Sequence, residues 1–208
     1  MSLDLSLYLV TDAGLCTEKG LERTVEEAVA GGVSIVQLRD KQASDVAMIE
    51  QAKRLKSLLA GTGVPLIIND RLEVAIASQA DGLHVGQTDA TIEQARQALG
   101  KEAIIGLSVN TLTQLSRAPA SLLDYFGFGP VFATPSKGDH EPPIGFDGLA
   151  ALVSASPLPG VAIGGLKTAH IRAAKRSGAA GIAVISAICG QTSPRDNAQH
   201  LARQWADA

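Results

Sequence analysis

What most constrains this chain is a rhythm. Eight short apolar runs, at 5–11, 33–38, 64–68, 82–85, 103–107, 124–127, 160–163 and 181–185, are each followed by a segment with helical spacing. In 20–31 the apolar stripe is Leu21, Val25, Ala28 and Val29, and Gly31 is placed to stop it. In 44–60, Ile49, Ala52, Leu55 and Leu59 face one way and Ser44 is placed as the N-cap. Segments 73–79, 91–99, 111–118, 146–154, 167–177 and 194–206 complete the set. Successive strands joined through helices must run parallel. Eight such units predict an α/β fold, a single-domain (β/α)₈ TIM barrel over 1–208 with its active site at the C-terminal ends of the strands. A doubly wound open sheet is the alternative. It would carry a Gly-rich turn after the first strand, and "TDAG" at 11–14 lacks that fingerprint.

Composition narrows the function classes. Aromatics are 3% against 46% apolar residues, so the core is aliphatic, and 21 glycines permit close helix–sheet contact. A net charge of −3 argues against a broad basic surface for nucleic acid. "MSLDLSLYLV" has an acid and no basic n-region, and no apolar run approaches a membrane span, so a cytoplasmic location without membrane contact is expected. Cys16 and Cys189 lie far apart in an unpatterned sequence and imply neither a disulfide framework nor a zinc site. A homo-oligomer is left open.

The second run raises a sharper question. In "SIVQLRDK", Gln37, Arg39 and Lys41 lie two apart, so a strand would line one face with an amide and two cations. Other unusual polar residues also follow strands: Asn69 and Asp70, Gln87 and Asp89, Ser108, then Thr134, Ser136 and Lys137. In a barrel all of these gather at one rim. Arg39 and Lys41 suit phosphate oxygens, or else pair with neighbouring carboxylates. Asp70 and Asp89 read either as caps of the helices after them or, with phosphate oxygens, as ligands of Mg²⁺. The stretch 129–145, "GPVFATPSKGDHEPPIG", is long for a connection of this kind and reads as a binding loop. "AIGG" and "GIAVISAI" close the last two runs with small residues where backbone N–H groups bind phosphate in such barrels. The rim therefore offers two anion sites, which suits two phosphorylated small-molecule substrates.

The ordered motifs "YLVTD", "VQLRDK", "INDR", "DGLHVGQTD", "GLS", "GFGPVFATPSK", "AIGG" and "GIAVISAI" cover nearly the whole chain. Together they resemble the thiamine-phosphate synthase family. The resemblance implies a transferase that condenses hydroxymethylpyrimidine pyrophosphate with a thiazole phosphate by a dissociative route, releasing pyrophosphate, with Mg²⁺. It implies that Gln37, Arg39, Lys41, Asn69, Ser108 and Lys137 hold the pyrimidine pyrophosphate. It places Thr134, Ser136, Gly165, Ile185 and Ser186 on the thiazole phosphate and Asp70 and Asp89 on the metal. Ser136 stands where the family often has a second Thr, and Thr88 where an acid is common. A thiazole tautomerase of the same fold is the rival; retention of Asn69, Asp70, Gln87 and Asp89 argues for the synthase. A sugar-phosphate isomerase or aldolase would need an acid–base pair or a Schiff-base lysine in the barrel, where Lys41 is the one inward candidate.

Overall fold

The computed structural model describes residues 3–134 and 142–208. Eight strands and eight helices alternate along it: β1 (Leu7–Val10), α1 (Leu21–Ala30), β2 (Ile35–Leu38), α2 (Asp45–Leu59), β3 (Leu66–Asn69), α3 (Leu72–Ser78), β4 (Gly82–Val85), α4 (Ile92–Leu99), β5 (Ile104–Val109), α5 (Leu112–Arg117), β6 (Tyr125–Phe128), α6 (Gly145–Ala155), β7 (Gly160–Ile163), α7 (Ile171–Arg176), β8 (Gly181–Val184) and α8 (Pro194–Ala206). The strands pair in chain order, all parallel, and β8 pairs back on β1. The open-sheet alternative is thereby excluded.

Alternation along each strand divides the core in two. Leu7, Leu9, Val36, Leu38, Leu66, Ile68, Phe126 and Phe128 point outward and pack under the helices. Tyr8, Val10, Ile35, Ile67, Tyr125, Val161 and Ala183 fill the inside of the barrel. The outer layer is held close by small residues: a Cβ at Gly31, at the end of α1, would come within 2.7 Å of the Ala198 Cβ on α8. Ser44 caps α2 as expected, accepting from the Ala47 N–H at 3.3 Å.

One local expectation changes. The helix over 167–177 begins as a 3₁₀ turn at Thr168–His170, where the Lys167 N–H is taken by His170 Nδ1, and α7 starts only at Ile171. Cys16 and Cys189 are both free and buried, and they lie close enough that a hydrogen bond from Cys189 lowers the Cys16 thiol while contact with Cys16 and burial push the Cys189 thiol up. No helix among the described residues is long and apolar enough to cross a membrane.

Candidate active site at the mouth of the barrel

A cavity of about 960 Å³ opens at the C-terminal ends of the strands. Its wall carries Arg39, Lys41, Asn69, Asp70, Asp89, Ser108, Thr134, Gly165, Ile185 and Ser186, so residues scattered over 148 positions of sequence share one space. Gln37 is not on that wall. It is buried one layer below, where its Nε2 donates to the Tyr8 hydroxyl at 2.8 Å. Ser136 and Lys137 lie outside the described residues.

The row that begins on β2 divides at the strand end. Arg39 is only 8% exposed, and its backbone N–H donates to the buried Thr11 hydroxyl at 3.0 Å. Its guanidinium reaches Asp12 only at 3.9 Å, and its Nε is buried with no hydrogen-bond partner. A charged group so placed is costly until something pairs with it. Lys41 is not in a strand at all. Asp40 Oδ1 accepts from the N–H groups of Gln42 and Ala43, turning the chain, and Lys41 stands exposed in the loop. Arg71 fastens that loop: its guanidinium donates to the carbonyls of Ala43 (2.6 Å) and Asp40 (3.1 Å) and to Asp45 Oδ1.

Neither rim aspartate caps a helix. Arg71 is the N-cap residue of α3 and makes no side-chain cap hydrogen bond. α4 is capped instead by Thr91, in a reciprocal box with Gln94. Asp70 sits in a tight turn in which the Arg71 N–H returns to the Asn69 carbonyl at 2.7 Å. Its φ is 62°, in the left-handed region, where a non-glycine residue stores strain. Asp89 folds back so that Oδ2 accepts from the Gly86 N–H at 2.7 Å. The two carboxylates thus belong to one wall. No three His, Cys, Asp or Glu side chains converge among the described residues, so a hard cation there would take its remaining oxygens from a polyphosphate and water.

The far arc is built from backbone. Gly164 and Gly165 have φ of 98° and 63°, and a Cβ on Gly165 would stand 2.8 Å from the Ala133 carbonyl and the Phe132 Cβ. The Phe132 N–H bonds to the Gly164 carbonyl at 3.0 Å, which brings Thr134 beside Gly165. The N–H groups of Gly164, Gly165, Leu166, Ser186 and Ala187 make no hydrogen bond within the described residues. After β8 a helical turn begins, with the Cys189 N–H bonded to the Ile185 carbonyl at 2.9 Å, so the Ser186 and Ala187 amides are its unpaired first donors. Such clusters of amides bind anions.

Asn110 Oδ1 is buried at the cavity wall without a partner. Sequence reasoning missed the two tyrosines beneath the floor. Tyr8 and Tyr125 join Gln37 to His84 there. Alternation marks Tyr8 and Tyr125 as inward, but their meeting across 117 residues leaves no local signal.

Known proteins resemble this chain. The family described as thiamine monophosphate synthase matches residues 7–188. A thiamine-phosphate synthase of Psychrobacter sp. (strain PRwf-1) is 52% identical over 203 residues, covering 96% of this chain and 95% of that one. Another, from Azorhizobium caulinodans, is 52% identical and covers 95% and 93%. Among solved structures, a thiamine phosphate pyrophosphorylase from Pyrococcus furiosus superposes with a TM-score of 0.88 at 35% identity, covering 99% of this chain and 97% of that one. A 3-hexulose-6-phosphate synthase shares the fold alone, with a TM-score of 0.66 at 18% identity.

Proposed function

The chain belongs to the thiamine monophosphate synthase family, and on that premise we propose that it joins a hydroxymethylpyrimidine pyrophosphate to a thiazole phosphate, releasing pyrophosphate. The observation that carries this reading is the pairing of two anion-binding arcs in one cavity. One is formed by side chains on the β2–β4 loops and the other by bare amides after β7 and β8.

In this reading Arg39, Lys41 and Asn69 hold the pyrophosphate, and Ser108 contacts the pyrimidine from the wall, with Gln37 beneath it. Thr134 and the Gly165, Ile185 and Ser186 backbone hold the thiazole phosphate. Ser136 and Lys137 enter from the sequence alone, on the thiazole and pyrophosphate sides respectively. Asp70 and Asp89 would hold Mg²⁺, which when bound stabilises negative charge on the leaving pyrophosphate.

The reaction is dissociative. The carbon–oxygen bond to pyrophosphate breaks, and its electron pair leaves with the pyrophosphate. The pyrimidinylmethyl cation that remains is captured by the lone pair of the thiazole nitrogen. No protein nucleophile or strong base is needed. What the protein supplies is charge stabilisation set in place beforehand, and the Arg39 guanidinium, on the cavity wall and only 3.9 Å from Asp12, suits that role.

The test is pyrophosphate release measured with each substrate alone and with both, with and without Mg²⁺. Release that needs both substrates and metal, matched by thiamine phosphate, is the expected result. Tight binding of the thiazole phosphate without any release would sink the assignment.

A further inference from the structure

Beneath the cavity floor five side chains form one buried hydrogen-bonded chain. Gln37 Nε2 meets the Tyr8 hydroxyl at 2.8 Å, and the Tyr8 and Tyr125 hydroxyls meet at 2.7 Å. The Tyr125 hydroxyl meets His84 Nδ1 at 2.9 Å, and His84 Nε2 meets Ser108 Oγ at 2.9 Å. Of the five, only Ser108 reaches the wall of the large cavity.

The chain has a sense. The Gln37 amide nitrogen can only donate, so the Tyr8 oxygen accepts there; the buried Tyr8 hydrogen has only the Tyr125 oxygen within reach among the described residues, and goes to it. The Tyr125 hydrogen then goes to His84 Nδ1, which must be bare. The imidazole keeps its proton on Nε2, the tautomer that neutral imidazoles favour in water, and donates to Ser108 Oγ. Ser108's own hydrogen has no acceptor within the chain and is left for the cavity. Burial raises both phenols well above their ordinary range, so neither supplies a charge that would break this order. The rings fit only because two inward positions are glycines. A Cβ at Gly106 would overlap both the Tyr125 and the His84 rings, and one at Gly127 would stand 3.2 Å from His84 Cε1.

We propose that His84, Tyr125, Tyr8 and Gln37 are positioning residues that aim the Ser108 hydroxyl into the cavity as a fixed hydrogen-bond donor. The group it meets is a bare ring nitrogen of the heteroaromatic substrate. A serine hydroxyl otherwise rotates freely and serves donors and acceptors alike. Fixed from behind, it selects a ring that presents an acceptor and costs no reorganisation when the ring arrives. The inference rests on the reading of Ser108 as the pyrimidine contact.

The test is a double-mutant cycle on the full-length enzyme, with Ser108→Ala, Tyr125→Phe and both together, read as kcat/KM for the pyrimidine pyrophosphate. Tyr125→Phe should lower it by roughly tenfold, the scale of one hydrogen bond, with KM for the thiazole phosphate unchanged. In the Ser108→Ala background the same change should cost nothing further. Equal losses in both backgrounds would overturn the positioning role. If Ser108→Ala alone leaves pyrimidine use intact, the site reading itself falls, which is a different result. Should Tyr125→Phe not fold, Tyr8→Phe breaks the same chain one hydroxyl earlier and enters the same cycle. Independently, ¹⁵N shifts of the labelled His84 ring should show Nδ1 bare and Nε2 protonated. A protonated Nδ1 would reverse the chain and overturn the donor assignment.

Discussion

Asp70 shows how one residue can be poor for the fold and useful at a site. Its left-handed backbone favours Asn or Gly, yet the side chain here is a carboxylate on the cavity wall. Strain kept at a position that caps no helix points to chemistry. Asp70→Asn keeps the size and suits the turn at least as well. Its melting temperature should therefore match or exceed the parent's, while Mg²⁺-dependent pyrophosphate release falls by roughly a hundredfold or more, as when a group that stabilises the transition state is lost. Unchanged turnover would remove Asp70 from the metal site. At this scale legibility followed sequence distance. Arg39, Asp70 and Asp89 were visible because each follows a strand at a fixed offset. The Cys16–Cys189 contact and the Tyr8–Tyr125 hydrogen bond were not, because each joins distant strands or loops that only barrel closure brings together. Alternation marks Gln37 as inward, but depth within a barrel is a tertiary quantity, and it lies below the cavity rather than on it.

Elements divide the molecule into a face that works and a face that holds. At the N-terminal ends of the strands, Asp81 Oδ2 accepts from the Leu66 N–H at 2.8 Å, and Asp124 Oδ2 from the Ile105 N–H at 2.7 Å. Arg96, in the last turn of α4, pairs with Asp124 at 2.8 Å and donates to the carbonyls of Gly100, Lys101, Ala103 and Leu122. One side chain thus fastens the turn into β5 to the turn into β6. Arg96→Ala strands those carbonyls and should lower stability by about 2 kcal/mol, or roughly 4–8 °C in melting temperature for a domain of this size. Turnover at permissive temperature should not change, since the site is on the opposite face. A loss of turnover without loss of stability would contradict that division. The elements themselves were legible almost throughout, because period 2 and period 3.6 differ sharply in short apolar runs. Their ends were less so. β2 stops at Leu38 because Asp40 turns the chain, and α7 starts late because His170 takes the Lys167 N–H, both local side-chain choices that periodicity does not contain.

For the molecule as a whole, the proposed function requires that its two candidate anion arcs fill together. A condensing enzyme must hold both partners in one cavity, whereas an enzyme with a single phosphate site can hold only one anion at a time. Ligands that bind only the folded state stabilise it by about 2.7 kcal/mol each at a hundred times their dissociation constant. That corresponds to roughly 5–11 °C in melting temperature for a chain of this length. Inorganic pyrophosphate with Mg²⁺ should occupy the Arg39–Lys41 arc, and the thiazole phosphate the amides at Gly165 and Ser186. Their thermal shifts should therefore add. In Asp70→Asn the part of the pyrophosphate shift that needs Mg²⁺ should vanish, while the thiazole phosphate shift stays whole. A combined shift no larger than the greater of the two would mean that both anions compete for one arc, and the cavity would then suit an isomerase better than a condensing enzyme.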